Sequence, residues 1–127
     1  MGGLNWYTSY YGNLRNLKGY KISISRFIPY GIGKAVDLQD IRLAPTPKIL
    51  SLTRDGYIED FNILLDKIDI LKVIEEYENR ALEKGQTNIF LLCYETPEEF
   101  CHRHLVSERI KEFRQIEEYR NEAIIDF

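Results

Sequence analysis

The 127-residue sequence predicts an α/β fold: a mostly parallel sheet with helices on both faces, in Rossmann-like or flavodoxin-like layers. Three observations predict it. Apolar and polar residues alternate over Lys21–Ser25, the pattern of a half-buried strand, whereas from Ile58 onward apolar residues recur every three or four positions, as on an amphipathic helix. A continuous apolar run, Asn88–Cys93, then follows closely on a glycine, as a central parallel strand covered on both faces would. The resulting order, strand-strand-loop-helix-helix-strand-helix, makes one layered domain over residues 1–127.

Asn5–Tyr11 (NWYTSYY) is rich in aromatic and β-branched residues and runs into Gly12-Asn13, so a first strand is expected there. Lys21–Ser25 supplies the second, broken by Pro29-Tyr30-Gly31-Ile32-Gly33-Lys34. Gly31–Lys34 echoes a phosphate loop, but the Walker pattern needs two more residues before its second glycine and Ser or Thr after the lysine, where Ala35 stands. A mobile basic loop, able to act as a lid, is expected instead. Pro45 and Pro47 bracket a loop ahead of Ile49–Leu52, which suits a strand or one helical turn. Ile58, Phe61, Leu64, Leu65 and Ile68 mark a helix. Asp69 then caps a second helix with the face Ile70, Val73, Ile74, Tyr77 and Ala81, and Gly85 sits where that helix should stop. Beyond Asn88–Cys93, Thr96-Pro97-Glu98-Glu99 reads as a helix start. Cys101, Leu105, Val106, Ile110, Phe113 and Ile116 continue its stripe, and Glu117–Phe127 suits more helix or a short edge strand.

The longest apolar run is far too short to span a bilayer, and no secretory signal is expected at the N-terminus. Two cysteines are too few for a disulfide scaffold, so a cytoplasmic chain is expected, with no membrane partner and its oligomeric state open. Charge is unevenly spread: residues 1–56 carry +5 and residues 57–127 carry −8. The basic half also holds Trp6, Tyr7, Tyr10, Tyr11, Tyr20 and Tyr30. Basic groups among aromatics suit a nucleotide, another phosphorylated small molecule or nucleic acid, although tyrosines on half-buried strands also pair with one another as packing. The acidic helix faces are solvated surface and argue against broad wrapping of DNA.

Chemistry concentrates between Cys93 and His104. Cys93, Tyr94 and Glu95 fall at the carboxyl end of the apolar strand, where open parallel sheets bind ligands. The expected helix returns Cys101, His102, Arg103 and His104 to that edge, and its N-terminus favours an anion. Arg103 adds a bidentate fork suited to phosphate or carboxylate.

The segment LLCYETPEEFCHRHLVSE resembles the signature of the domain of unknown function 488 (DUF488) family: an apolar strand ending Leu-Leu-Cys-x-Glu, an acidic loop, then Cys-His-Arg opening a helix. Leu64–Asp69 and the helix up to Gly85 resemble the family's approach to that strand, and Trp6–Leu14 resembles the first strand of its short bacterial and phage members. Larger relatives have a Thr-Ile-Gly-type turn where this chain has Thr8-Ser9-Tyr10. The resemblance implies an α/β fold and a site at Cys93, Glu95, Cys101, His102 and Arg103. It implies no particular reaction.

Four readings of the cluster stay open. In the first, a pocket for a phosphate-bearing ligand, Arg103 and the helix N-terminus grip the phosphate and Glu95 orients or acts as a base. In the second, a hydrolase or transferase, Cys101 or Cys93 attacks with His102 or His104 as base, without the Cys-x5-Arg loop of thiol phosphatases. The third is a metal site. Against it, the C-x7-C-H-x-H spacing fits no zinc pattern, and neighbouring Cys101 and His102 on a helix would point about 100° apart. No metal or cofactor is therefore expected. The fourth is structural: Cys93 fills the core and Arg103 pairs with Glu95 or Glu99. A Cys93–Cys101 disulfide is disfavoured by a reducing compartment. If the first strand is parallel to Asn88–Cys93, Thr8, Ser9, Tyr10 and Asn13 would face Arg103 and supply ribose, phosphate and base contacts. The site expected is thus Glu95, Cys101 and His102 for catalysis, with Thr8, Ser9, Tyr10, Asn13 and Arg103 for binding. A non-catalytic protein- or nucleic-acid-interaction module is the further alternative.

Overall fold

The computed structural model describes residues 3–95 and 100–119. Five parallel strands form one sheet in the order β3-β2-β4-β1-β5; the parallel α/β sheet is what the sequence predicts, while the strand order comes from the structure. They are β1 (Asn5–Tyr10), β2 (Tyr20–Ser23), β3 (Leu38–Gln39), β4 (Asn88–Cys93) and β5 (Ile116–Glu118). The helices are α1 (Pro47–Leu50), α2 (Arg54–Asp66), α3 (Ile70–Glu83) and α4 (His102–Ile110).

The apolar run of β4 is explained by its place in the centre. It pairs with β1 over Asn5↔Asn88 to Tyr10↔Cys93 and with β2 over Tyr20↔Ile89 to Ser23↔Leu92. Side chains alternate across its plane. Ile89 and Leu91 join Trp6, Ile22, Phe61, Leu65, Ile74, Tyr77 and Val106 under the α-helices, while Phe90 and Leu92 pack on the other face with Tyr11, Leu14 and Leu17. That second face is covered by a six-residue 3-10 helix, Tyr11–Asn16.

Caps set the helix boundaries. Thr46, Thr53 and Asp69 each accept a hydrogen bond from a backbone N–H in the first turn that follows, an interaction worth about 1 kcal/mol apiece. At the end of α3, Gly85 adopts φ +69°, and the Gln86 N–H reaches the Ala81 carbonyl while the Gly85 N–H reaches that of Leu82. This closing motif uses the left-handed residue that glycine supplies. The capping role of Asp69 and the stop at Gly85 agree with the sequence.

Several boundaries differ from expectation. Of the two readings open for Ile49–Leu52, the helical turn holds for Ile49 and Leu50, which end α1 (Pro47–Leu50). The two-residue β3 has no periodicity to announce it. The Thr96–Glu99 helix start lies outside the described residues, but Cys101 is extended (φ −146°, ψ 144°) and α4 begins only at His102. Its stripe also ends early: α4 stops at Ile110, Phe113 is exposed, and Ile116 enters β5. Spacing every three or four residues could not reveal that Phe113 falls past the last turn. Among the described residues no helix is long and apolar enough to cross a membrane.

Candidate functional site

The chain leaves β1 toward β2 over the face with the 3-10 helix, and leaves β4 toward β5 over the α-helical face. Departing connections that diverge from adjacent strands open a crevice at their carboxyl ends. Tyr10 and Cys93 are register partners at that point.

Because Cys101 is the extended residue ahead of α4, its side chain does not follow helical spacing. It reaches back to β4, and the Cys93 and Cys101 sulfurs are joined as a disulfide, contrary to the thiol state expected from the sequence. The ligand atoms of Cys93, Cys101 and His102 lie within 4.8 Å of one another, all buried. The premise that Cys101 and His102 splay on a helix therefore fails. His102 Nε2 is 2.5 Å from the Ile24 carbonyl oxygen and Nδ1 is 3.8 Å from Cys101 Sγ. A carbonyl only accepts, so Nε2 carries the proton and Nδ1 keeps a lone pair toward the sulfur. Burial lowers the His102 pKa to about 4, and Arg103 adds to the effect, so the ring is neutral at pH 7. Burial likewise lowers that of His104.

Arg103 is fully buried. Its Nε and Nη2 donate to Glu118 Oε1 and Oε2 at 3.1 and 3.2 Å, and its Nη1 donates to Cys93 Sγ at 3.0 Å and to the Glu95 carbonyl at 2.6 Å. The fork expected to hold phosphate is thus engaged within the chain, and its acidic partner is Glu118 rather than Glu95 or Glu99. Thr8 Oγ1 donates to the same Glu118 carboxylate at 2.7 Å.

β1 does run parallel to β4, but its side chains alternate. Thr8 turns to Arg103, while Ser9 faces the opposite side, where Asn13 Nδ2 donates to its Oγ at 3.3 Å. Thr8, Ser9, Asn13 and Arg103 therefore do not form one wall. The aromatic groups of the basic half are largely packing. Trp6 and Tyr20 are buried, Tyr7 stacks on Phe90 and meets Tyr119 edge-on, and Tyr30 stands exposed.

Beside His102 a small cleft of about 100 Å³ opens between the carboxyl ends of β2 and β4, walled by Phe27, Tyr57 and Tyr94 with Arg26 and Glu95 alongside. Among the described residues Ser25 Oγ, which lines the cleft, is buried without a hydrogen-bond partner; the nearby Tyr11 hydroxyl pairs with Ser23 Oγ at 2.5 Å. Burial pushes the Tyr57 hydroxyl pKa up, and the Glu95 charge adds to it. Arg54 lies over the Phe100 ring, which meets Tyr57 edge-on. Larger hollows of about 420 and 590 Å³ lie around Leu4 and Arg114, and none of the cysteines or histidines lines them. Sequence reading missed Ser25, Arg26, Tyr57 and Tyr94 as a group. The position of Ser25-Arg26 just past the second strand was the available signal; nothing local marks Glu118.

A family model described as the active DUF488-N3 subclade matches residues 7–114. The chain belongs to the DUF488 family. The match runs from β1 to just before β5, so the DUF488 segment contains the Cys93–Cys101–His102 cluster, Arg103 and the cleft, but not Glu118. No curated protein and no solved structure matches the chain.

Proposed function

We propose that this DUF488 protein binds a phosphate-bearing ligand with a planar ring, a nucleotide or a nucleic-acid-derived fragment, in the cleft beside His102. The observation that carries this reading is the unpartnered Ser25 Oγ lining a cleft with aromatic walls at the carboxyl edge of the sheet. A buried hydroxyl without a partner costs roughly 1–3 kcal/mol, which a ligand donor or acceptor would recover. Tyr57, Tyr94 and Phe27 suit the faces of a ring. At about 100 Å³ the cleft is below the usual range of about 300–1,000 Å³, so it accommodates one ring or one anionic group and leaves the remainder outside. With Arg103 engaged, Arg26 takes over as the phosphate contact.

A second reading, open only once the Cys93–Cys101 disulfide is reduced, is thiol-assisted hydrolysis or transfer on the same ligand class, and the His102 Nδ1 lone pair beside Cys101 Sγ favours it. The subclade's description as active agrees with it.

Thermal unfolding against a panel of nucleosides, nucleoside phosphates and short oligonucleotides tests the binding reading. A ligand at about 100 times its Kd stabilises the folded chain by about 2.7 kcal/mol. The stabilisation should be lost in Arg26→Ala and Tyr94→Ala. A panel without effect on the wild type, or one acting equally on both variants, rules the cleft out.

A further inference from the structure

Cys93, Cys101 and His102 converge from the end of β4, the residue before α4 and the first residue of α4, yet their ligand atoms lie within 4.8 Å of one another. We propose that, with both cysteines reduced, Cys93 Sγ, Cys101 Sγ and His102 Nδ1 bind a thiophilic divalent cation of the zinc class.

Four features support the site. The donor set, two thiolates and one imidazole, is one that zinc enzymes use with a fourth position left for water or substrate. The far nitrogen of His102 is held by the Ile24 carbonyl, and ligating imidazoles are oriented by such bonds. The Cα atoms of the two cysteines are 7.2 Å apart, above the roughly 4.4–6.8 Å of most disulfides, and a cation shared by two thiolates spans the wider gap. The charges also balance: two thiolates offset the cation, while Arg103, which donates to Cys93 Sγ, is offset by Glu118. His102 lines the cleft, so the open position would face it.

Reaching this state from the disulfide takes two electrons from a phosphine, which leaves as its oxide with an oxygen from water, and the two protons of that water, which go to the two sulfurs. The cation then displaces both thiol protons to solvent. Metal binding at these three residues does not depend on which ligand the cleft takes.

The test uses the full chain, reduced with a phosphine under anaerobic conditions and titrated with Co²⁺, with zinc content measured in parallel. The expected result is a thiolate-to-cobalt charge-transfer band that saturates at one cation per chain and is bleached by Zn²⁺. Cys93→Ser, Cys101→Ser and His102→Ala should each abolish it, while His104→Ala should keep it. Circular dichroism identifies variants that do not fold. For those, thiol labelling of the wild type decides: zinc should protect both cysteines. A reduced, folded wild type without the band, a band that survives loss of either cysteine in a folded variant, or zinc that leaves both thiols reactive would overturn the proposal. Arg26→Ala should retain the metal, so failure of ligand binding and failure of metal binding are read separately.

Discussion

Arg103 and Glu118 meet side-on in two parallel hydrogen bonds of 3.1 and 3.2 Å, both donated by a fully buried guanidinium to a largely buried carboxylate. The pair ties α4 to β5. Removing one member of such a pair strands the other charge, at a cost of about 3–5 kcal/mol. Glu118→Leu and Arg103→Met should each destabilise by that order in denaturant unfolding. The double variant should lose far less than the sum of the two, because neither charge is left alone.

Tyr77 and Asp40 form the corresponding contact midway along α3. The buried Tyr77 hydroxyl donates to Asp40 Oδ2 at 2.5 Å, and Arg42 pairs with the same carboxylate. Tyr77→Phe should cost about 1.5–3 kcal/mol, the range for a hydrogen bond to a charged group. Equilibrium unfolding in urea measures it.

Acid should act in two stages on the oxidised, metal-free protein. Burial holds the folded His102 pKa near 4 against an ordinary 6.5, so the unfolded chain takes up that proton first. Its contribution, about 3 kcal/mol, is complete above pH 6.5 and is lost as pH falls toward 4. Burial pushes the Asp40 carboxyl up, but bonds from Arg42 and Tyr77 outweigh it and hold the carboxyl below its ordinary 3.8. That contribution is present above 3.8 and lost as pH falls through the folded value. Asp40→Asn should keep the first stage and diminish the second in a pH series of unfolding curves. Glu78 also contributes to the second, since burial raises its carboxyl pKa but bonds from Arg114 and Trp6 outweigh that and hold it low.

Gly19 sits where a side chain has no room. A Cβ there would lie 2.5 Å from the Asn88 carbonyl oxygen and 2.8 Å from the Phe90 ring. Gly19→Ala should destabilise by about 1–3 kcal/mol by forcing β2 away from β4. A Tm unchanged from the wild type would contradict this.

Ser25 separates stability from function. Because its Oγ is buried and unpartnered, Ser25→Ala should stabilise the free protein by about 1 kcal/mol. The same variant should weaken the ligand-induced rise in Tm.

The sheet was legible because burial on two faces leaves an unbroken apolar run in β4, and Asp69 and Gly85 mark the ends of their helix by local chemistry alone. The Cys93-to-His104 cluster was legible as a place but not as an arrangement. Reading Cys101 as helical set it apart from His102, whereas its extended backbone brings both to Cys93. Arg103 looked like a free anion fork because its partner, Glu118, stands fifteen residues away in a strand too short to carry a pattern. The opposed facing of Thr8 and Ser9 follows from strand alternation once β1 is placed, and it separates residues that adjacency had grouped.

The seat of β4 between β1 and β2 has a consequence for biosynthesis. β1 and β2 are separated by nine residues in the chain, yet they do not pair with each other; both wait for a strand that begins at Asn88. A nascent chain emerging from the ribosome therefore presents two strand edges with no neighbour until Asn88–Cys93 has been made. Trp6, Ile22 and Ile24 lack their Ile89 and Leu91 neighbours for that interval. Such a chain depends on late, long-range closure, the condition under which holdase chaperones matter most.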